Sequence, residues 1–335
     1  MAFSAGTLRS ERNSICSLHG RGQRFSLTVL RRQKRDSAPD MYERSVLITD
    51  VDNTLLDWVT IWHASFSPML AKLIDKSGIS AELLIPEIRS VHQRHGTSEY
   101  AFLINEVPLL KEAAGDADVR EFYADAIGAF REARRQSLAL YSGVMDFLLS
   151  VKSRGTLIVA YTESKAFYTE YRFRKLGLDK VVDYLYSPPD HELPIGVTKK
   201  DLRRYPDSQY EMERTEHRYT PDGELKPNPK ILSDILTDIG ARRDQAVYVG
   251  DSLMKDIVMA KDVGILDAHA AYGAAQHTEA YSLLKSVTHW TKEDVRREAR
   301  INQHPPVKPS ITLASRLDEL SKSVIFKGFE SERIS

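Results

Sequence analysis

The chain has 335 residues, of which 42% are hydrophobic and 28% charged, so it can bury a large core and has the ordinary composition of a soluble globular protein. Its 47 basic residues balance 47 acidic residues, so the net charge gives no reason to expect nucleic acid or an anionic membrane as a partner. The single cysteine, Cys16, excludes an intrachain disulfide and argues against a cysteine metal site, and no apolar run approaches the ~20 residues of a membrane-spanning helix.

The first 40 residues differ from the rest because they are rich in arginine and serine. Their acidic residues are only Glu11, Asp36 and Asp40, whereas their Arg and Lys residues are Arg9, Arg12, Arg21, Arg24, Arg31, Arg32, Lys34 and Arg35. We interpret 1–40 as a basic, disordered extension, or as sequence ahead of a true start at Met41. An organelle transit peptide is the alternative, since such peptides share this composition. Otherwise we expect a cytoplasmic protein.

The first predicted strand, over 45–48, ends in a pair of carboxylates within Asp50-Val51-Asp52-Asn53-Thr54. Because side chains alternate along an extended backbone, Asp50 and Asp52 are expected to face the same site. Two like charges at one site repel each other unless a cation or a shared proton relieves them. The pair therefore favours acid–base or metal chemistry, although acidic pairs also occur in turns and helix caps.

A long helical pattern follows the acid pair and is interrupted only by Gly78, Pro86, Gly96, Pro108 and Gly115. The pattern begins too soon and runs too long for a simple crossover between strands. We therefore interpret 58–138 as a helical insertion. Its basic run from Arg89 to His95 is interpreted as a solvated helical face, with contact to an anionic substrate as the alternative.

Strands and helices alternate after the insertion. We predict a helix ending near Gly155, a strand over 157–161, a helix over 165–176, a strand over 181–186, a helix from Asn228 to Gly240, a strand near Val247, a helix over 254–263 and a strand near Ile265. This alternation predicts an α/β fold with a doubly wound, mostly parallel sheet. In such sheets ligands collect outside the carboxyl ends of the strands.

Two regions do not follow the alternation. The segment 187–224 is polar and rich in Pro and Tyr, and we predict an extended loop or small hairpin whose Arg203, Arg204 and His217 could touch a substrate. A surface loop without a role in substrate binding is the alternative. After Gly273, His289-Trp290 and the region 311–324 suggest one more strand and helix, and 326–335 is interpreted as a loose tail.

Four motifs lie at or near strand-to-helix transitions, in the order carboxylate pair, hydroxyl, lysine and carboxylate pair. The last three are Thr162, Lys226 in Leu225-Lys226-Pro227-Asn228-Pro229, and Gly250-Asp251-Ser252-Leu253-Met254-Lys255-Asp256. This series resembles the haloacid dehalogenase (HAD)-like hydrolase superfamily, in its phosphatase branch, over about 44–273. The resemblance implies a Rossmann-like core over 41–57 and 139–325, with a helical cap domain over 58–138.

The resemblance also implies roles for the acidic residues. Asp50 would be the nucleophile that forms an aspartyl-phosphate, and Asp52 would act as general acid and then general base. Asp50, the main-chain carbonyl of Asp52 and the side chain of Asp251 would hold Mg²⁺, a hard cation that prefers oxygen ligands. Haloacid dehalogenases usually lack an acid at the position of Asp52, which favours phosphate chemistry over carbon–halogen cleavage.

The remaining motif residues have both functional and structural interpretations. Thr162 would bind a phosphoryl oxygen and Lys226 would neutralise phosphate and orient Asp50, although an isolated threonine caps helices and an isolated lysine is a solvated group. Asp256, Thr54 and Ser252 are assigned supporting positions near the metal or Lys226. Either acid of the last motif could instead be a helix-terminal acid favoured by the helix dipole.

These observations favour a Mg²⁺-dependent phosphatase acting on a small phosphorylated metabolite through an aspartyl-phosphate. A phosphomutase would use the same intermediate but pass the phosphoryl group to a second hydroxyl instead of to water. A non-catalytic phosphate-binding or interaction module is the alternative from another class, but it would not require both Asp50 and Asp52. No motif in the sequence indicates which substrate is used or what the oligomeric state is.

Overall fold

The fold is an α/β arrangement around a parallel sheet, in a computed structural model that describes residues 41–193, 197–198, 203, 205–274, 279–291, 296 and 307–331. The strands in these ranges are β1 Tyr42–Arg44, β2 Val46–Thr49, β3 Leu157–Tyr161, β4 Tyr184–Ser187, β5 Glu216–Tyr219, β6 Ala246–Gly250, β7 Leu266–Ala270, β8 Ile311–Leu313 and β9 Val324–Phe326. Seven form a parallel sheet in the order β5-β4-β3-β2-β6-β7-β8, while β1 pairs with β9. The predicted doubly wound α/β fold is confirmed.

Helices connect these strands. They are α1 Trp58–Ser77, α2 Ala81–His95, α3 Leu103–Glu106, α4 Pro108–Ala114, α5 Val119–Phe122, α6 Ala124–Ser137, α7 Val144–Ser153, α8 Ala166–Leu176, α9 Pro229–Asp238, α10 Val258–Val263 and α11 Glu279–Val287. A π-helical turn, Leu253–Ile257, precedes α10. Within the described ranges, every helix is too short or too polar to cross a bilayer.

Each face of the sheet carries its own hydrophobic core. In β2, Leu47 belongs to one buried cluster and Ile48 to the other, because successive side chains of a strand point to opposite faces. Leu148 of α7 packs on the first face, and Ile235 of α9 packs on the second. Strands covered on both faces have continuous apolar sequences, which explains why β2 and β6 could be predicted as apolar runs.

The strand order reverses at β2, and this reversal determines where a site can form. The chain runs from β2 outward through β3, β4 and β5, and then returns to β6 on the other side of β2. Such a reversal leaves a crevice at the carboxyl ends of the central strands. Asp50, Thr162 and Asp251 immediately follow β2, β3 and β6, so all three lie at this crevice.

Helices α1–α6 lie between β2 and α7 and form a helical unit with its own buried cluster. In α1, the Trp62 ring stacks on Phe66 with 4.6 Å between the ring centroids. The later helix α11 packs into the same cluster through Leu284 and Val287, a contribution that the sequence did not indicate. The described residues from 41 onward lie in one compact unit, and the cap limits 58–138 stay a prediction.

The basic run of α2 is only in part the solvated face that was predicted, because the Arg94 side chain is 58% exposed whereas His92 is buried. The His92 side chain is buried, with 1% exposure, and its Nδ1 lies 2.7 Å from the Val287 carbonyl. Since a carbonyl only accepts, Nδ1 carries the proton. Burial is the main cause that lowers the pKa of His92 to about 4. His92 lies on the inner face of α2, one turn after Ile88, which is also buried.

Three other sequence predictions need correction. The strand predicted over 181–186 begins only at Tyr184, because Leu178–Lys180 forms a 3₁₀ turn ahead of it. The segment predicted as a loop or hairpin contains β5, which extends the sheet parallel to β4. Its sequence, Glu-His-Arg-Tyr, has no apolar run, so main-chain pairing and not composition makes it a strand. The region 311–324 does add one more strand to the sheet, β8, as predicted. A 3₁₀ turn, Leu317–Lys322, and β9 follow it instead of a helix, and His289-Trp290 lies outside any strand.

Candidate active site

A buried lysine joins two of the predicted carboxylates. Lys226 Nζ lies 2.6 Å from Asp50 Oδ1, 3.0 Å from Asp256 Oδ1 and 3.0 Å from the Tyr161 carbonyl oxygen. These three acceptors use all three ammonium hydrogens. Burial opposes the charge of Lys226, but the carboxylates of Asp256 and Asp50 outweigh it and hold the lysine pKa well above its ordinary value. The lysine is therefore charged.

Asp50, Asp251 and Asp256 form an acidic group in which one oxygen from each carboxylate lies within 4.8 Å of the others. Burial, and then Asp256 and Asp52, raise the pKa of Asp50 to about 7 even though Lys226 lowers it. Burial and the charge of Asp50 also hold the pKa of Asp251 well above its ordinary range. One ammonium does not neutralise three carboxylates, and the donors are all oxygen. The group fits a hard divalent cation.

Asp256 supports this group through hydrogen bonds at both carboxylate oxygens. Its Oδ1 accepts from Lys226 and, at 2.8 Å, from the Tyr248 hydroxyl. Its Oδ2 accepts from the Ser252 main-chain nitrogen at 3.1 Å. The π-helical turn brings this carboxylate to the end of β6, where Gly250 leaves room for it: a Cβ on Gly250 would lie 2.3 Å from Asp256 Cγ.

Thr54 and Ser252 occupy different places around the acidic group. The Thr54 hydroxyl donates to Asp50 Oδ2 at 3.1 Å, so both oxygens of Asp50 are oriented by donors. The Ser252 hydroxyl accepts from the Lys255 main-chain nitrogen at 3.2 Å and thus caps the π-helical turn. Its predicted support of a metal stays a prediction.

Asp52 lies at the same edge of the sheet but has separate partners. Its Oδ2 accepts from the Ser164 hydroxyl at 2.5 Å and from the Thr162 hydroxyl at 3.3 Å, and its Oδ1 lies 3.3 Å from Arg172 Nη1. Burial raises the pKa of Asp52 although the Arg172 charge lowers it. Thr162 thus contacts the second carboxylate of the first motif and not the first.

Sequence reasoning missed four residues around these predicted ones. Ser164 and Arg172 hold Asp52, and Glu99 holds Arg172. Glu163 accepts from the Lys226 main-chain nitrogen at 2.7 Å and pairs with Lys255 at 2.5 Å, so it fixes the loop that carries the buried lysine. Ser164 and Glu163 adjoin Thr162 and could have been proposed from that proximity, whereas no local pattern distinguishes Glu99 or Arg172.

Two of the residues predicted to touch a substrate from the segment 187–224 are paired with nearby protein groups. His217 Nε2 lies 2.8 Å from the Ser187 hydroxyl, and its Nδ1 lies 3.1 Å from Glu170. Arg203 pairs with Asp207 at 2.9 Å. Arg204 lies outside the described residues. These bonds attach the segment to β4 and α8, and substrate contact by its residues stays a prediction.

Comparison with known proteins agrees with the motif series. A family model described as HAD-hydrolase-like matches residues 225–294, which include Lys226, Asp251 and Asp256. The chain is 23% identical over 236 residues to the glyceraldehyde 3-phosphate phosphatase of Methanopyrus kandleri, covering 70% of this chain and 86% of that protein. It is 24% identical over 238 residues to the phosphoglycolate phosphatase of Colwellia psychrerythraea, covering 70% and 87%. A HAD-hydrolase structure from Bacillus subtilis, bound to magnesium, aligns with a TM-score of 0.43 and 16% identity over 84% of this chain and 97% of that one.

The family model and the two curated relatives therefore support the HAD-like hydrolase superfamily for this chain. The resemblance predicted from the four motifs is confirmed at this level.

Proposed function

We propose that this chain, a phosphoric monoester hydrolase of the HAD-like class, is a Mg²⁺-dependent phosphatase of a small phosphorylated metabolite that works through an aspartyl-phosphate on Asp50. The observation that carries the proposal is the acidic group of Asp50, Asp251 and Asp256 around the Lys226 ammonium at the sheet crevice. An anionic nucleophile can approach an anionic phosphate only where cations offset the repulsion.

Asp50 is the proposed nucleophile because it is the carboxylate that Lys226 and Thr54 orient from both sides. A carboxylate oxygen of Asp50 attacks phosphorus, a bond from phosphorus to that oxygen forms, and the bond from phosphorus to the leaving oxygen breaks. Positioning of this kind supplies much of the rate in phosphoryl transfer.

Asp50, Asp251 and the main-chain carbonyl of Asp52 are the proposed ligands of Mg²⁺. The support is the all-oxygen donor set and the excess of carboxylate charge over the single ammonium. Bound Mg²⁺ would offset the negative charge of the transferring phosphoryl group.

Asp52 is the proposed general acid and base. It gives a proton to the leaving oxygen as the ester bond breaks, and then takes a proton from the water that attacks the aspartyl-phosphate. The second step breaks the bond between phosphorus and Asp50 and releases inorganic phosphate. Asp52 suits this role because its partners, Ser164 and Arg172, differ from those of Asp50.

Thr162 and Lys226 are the proposed phosphate ligands. The Thr162 hydroxyl accepts from the Ser164 main-chain nitrogen at 3.1 Å and donates a long bond of 3.3 Å to Asp52, so its hydrogen can turn to a phosphoryl oxygen at low cost. Lys226 supplies a fixed positive charge beside the nucleophile.

The substrate class rests on the curated relatives, which are named for glyceraldehyde 3-phosphate and phosphoglycolate. We therefore expect a small organic phosphomonoester and would test these two compounds first. A phosphomutase would convert its substrate to an isomer without net release of phosphate, so a combined assay for phosphate and isomer separates the two activities.

The test is hydrolysis of p-nitrophenyl phosphate with Mg²⁺ and with EDTA by the wild type, Asp50→Asn and the control Asp116→Asn. Asp116 is exposed and lies in the helical unit, so its variant should keep activity. We expect metal-dependent release in the wild type and the control, and none in folded Asp50→Asn. Release that persists in Asp50→Asn would contradict the aspartyl-phosphate, and release in EDTA would contradict the metal requirement.

A further inference from the structure

A buried arginine connects the helical unit to the carboxylate of Asp52. Arg172 of α8 lies 3.3 Å from Asp52 Oδ1 through Nη1 and 2.5 Å from Glu99 Oε1 through Nη2. Its side chain is 4% exposed, and that of Glu99 is 10% exposed. Glu99 belongs to the connection between α2 and α3, whereas Asp52 follows β2. One guanidinium therefore joins two parts of the fold.

The guanidinium suits this connection because it is planar, permanently charged and able to donate in two directions. Each of its terminal nitrogens faces a different carboxylate, so the plane of Arg172 is set by Glu99 as well as by Asp52. A buried charge between two carboxylates is costly to leave unpaired. If Glu99 were displaced, Arg172 would be free to reorient.

The orientation of Asp52 depends on this arginine. The hydroxyls of Ser164 and Thr162 bind its Oδ2, and among the described residues Arg172 is the group that binds its Oδ1. A general acid must present its proton within hydrogen-bond reach of the leaving oxygen, so rotation of the carboxylate would misplace that proton.

We propose that Glu99 and Arg172 are positioning residues for Asp52, through which the placement of the helical unit controls proton transfer to the leaving group. This inference rests on the proposed function, since it assumes that Asp52 is the acid. Neither residue is assigned contact with the phosphate. Their loss should therefore impair the step that needs a proton more than it impairs binding.

The test compares two leaving groups. p-Nitrophenolate leaves as a stable anion and needs little protonation, whereas the alkoxide of phosphoglycolate needs a proton as it departs. The variants are Arg172→Met, Glu99→Ala and Glu99→Gln, with Asp52→Asn as the reference for complete loss of the acid. The control is Arg174→Met, because Arg174 also lies on α8 and pairs with two carboxylates, Asp179 at 2.8 Å and Glu213 at 2.5 Å.

For Arg172→Met we expect kcat/KM for phosphoglycolate, or for the best alkyl phosphate found, to fall on the order of 10²-fold, with a much smaller fall for p-nitrophenyl phosphate. We compare kcat/KM because it reports formation of the aspartyl-phosphate, whereas kcat also includes its hydrolysis, in which Asp52 acts on both substrates alike. Glu99→Ala should show the same selectivity to a smaller degree. Glu99→Gln should restore much of the activity because its amide oxygen still accepts from Arg172. Arg174→Met should change the two substrates equally.

Equal losses of kcat/KM on both substrates in Arg172→Met, or no recovery in Glu99→Gln relative to Glu99→Ala, would overturn the inference in favour of a purely structural ion pair. If Arg172→Met does not fold, the comparison of Glu99→Gln with Glu99→Ala tests the inference alone. Failure of the proposed function is distinguishable, because it would appear in the wild type and in Asp50→Asn as metal-independent or aspartate-independent release. If the wild type shows metal-dependent release that needs Asp50, but the variants keep its selectivity between the two substrates, only the positioning role is contradicted.

Discussion

Lys226 Nζ lies 2.6 Å from Asp50 Oδ1, although the two residues are 176 positions apart in the chain. Their side chains are 2% and 10% exposed, so water does not compensate either charge well. The pair links the loop before α9 to the end of β2, and the stability of this edge of the sheet depends on it. Breaking a buried pair leaves an uncompensated charge, which costs more than the intact pair contributes.

We expect Lys226→Met to lower the free energy of unfolding by about 3–5 kcal/mol and to abolish phosphatase activity. The matched control is Lys230→Met, because Lys230 is 81% exposed and pairs with Asp234 on the surface of α9. That variant should leave the free energy of unfolding nearly unchanged, because an exposed ion pair contributes little. Denaturant unfolding in EDTA measures the stability of both variants. Equal stability of Lys226→Met and the wild type would show that Asp50 and Asp256 do not need the ammonium.

Gly250→Ala should disturb the site through Asp256. The added Cβ would lie 2.3 Å from Asp256 Cγ, so this carboxylate would have to leave its bonds to Lys226 and Tyr248. We expect a loss of about 1–3 kcal/mol in unfolding free energy and a large loss of kcat. Gly128→Ala is the control, because nothing lies within 4 Å of its added Cβ and its helix should gain up to about 1 kcal/mol. A stable, active Gly250→Ala would show that the Asp256 geometry is not required.

Asp251→Asn should separate metal binding from stability. In EDTA the variant should be at least as stable as the wild type, because Asp50 and burial make the charged carboxylate of Asp251 unfavourable. With Mg²⁺ present, the wild type should gain about 2.7 kcal/mol at a hundredfold excess of Mg²⁺ over Kd, and the variant much less. Thermal unfolding across a Mg²⁺ titration measures both, and an equal gain in Asp251→Asn would rule out Asp251 as a ligand.

The buried His92 should make the protein less stable in mild acid. Its pKa is lowered from 6.5 to about 4, mainly by burial, so the unfolded chain takes up a proton first as the pH falls. The stability that depends on neutral His92 is therefore complete above pH 6.5 and is lost progressively between 6.5 and about 4. The total is roughly 3 kcal/mol. His92→Gln, whose amide can still donate to the Val287 carbonyl, should flatten the slope of unfolding free energy over this range; an unchanged slope would contradict the assignment.

Much of the candidate site could be predicted because its motifs are local. The acid pair of Asp50 and Asp52 follows an apolar strand, Asn228-Pro229 opens a helix, and both patterns depend only on neighbouring residues. A parallel sheet then places the carboxyl ends of its strands at one edge, which brings Asp50, Thr162 and Asp251 to one crevice. The roles assigned to these residues stay predictions.

The sequence by itself determined the alternation of apolar strands and amphipathic helices, and with it the α/β class. Strands buried on both faces need continuous apolar runs, and helices packed on a sheet need one apolar face, so both can be read from neighbouring residues. Only the tertiary structure decided that Glu216–Tyr219 is a strand and that Arg172 lies between Asp52 and Glu99, which are 120 and 73 positions away from it. Such contacts depend on how distant elements pack. A charged side chain on a helix carries no local signal that tells a buried partner from a solvated one.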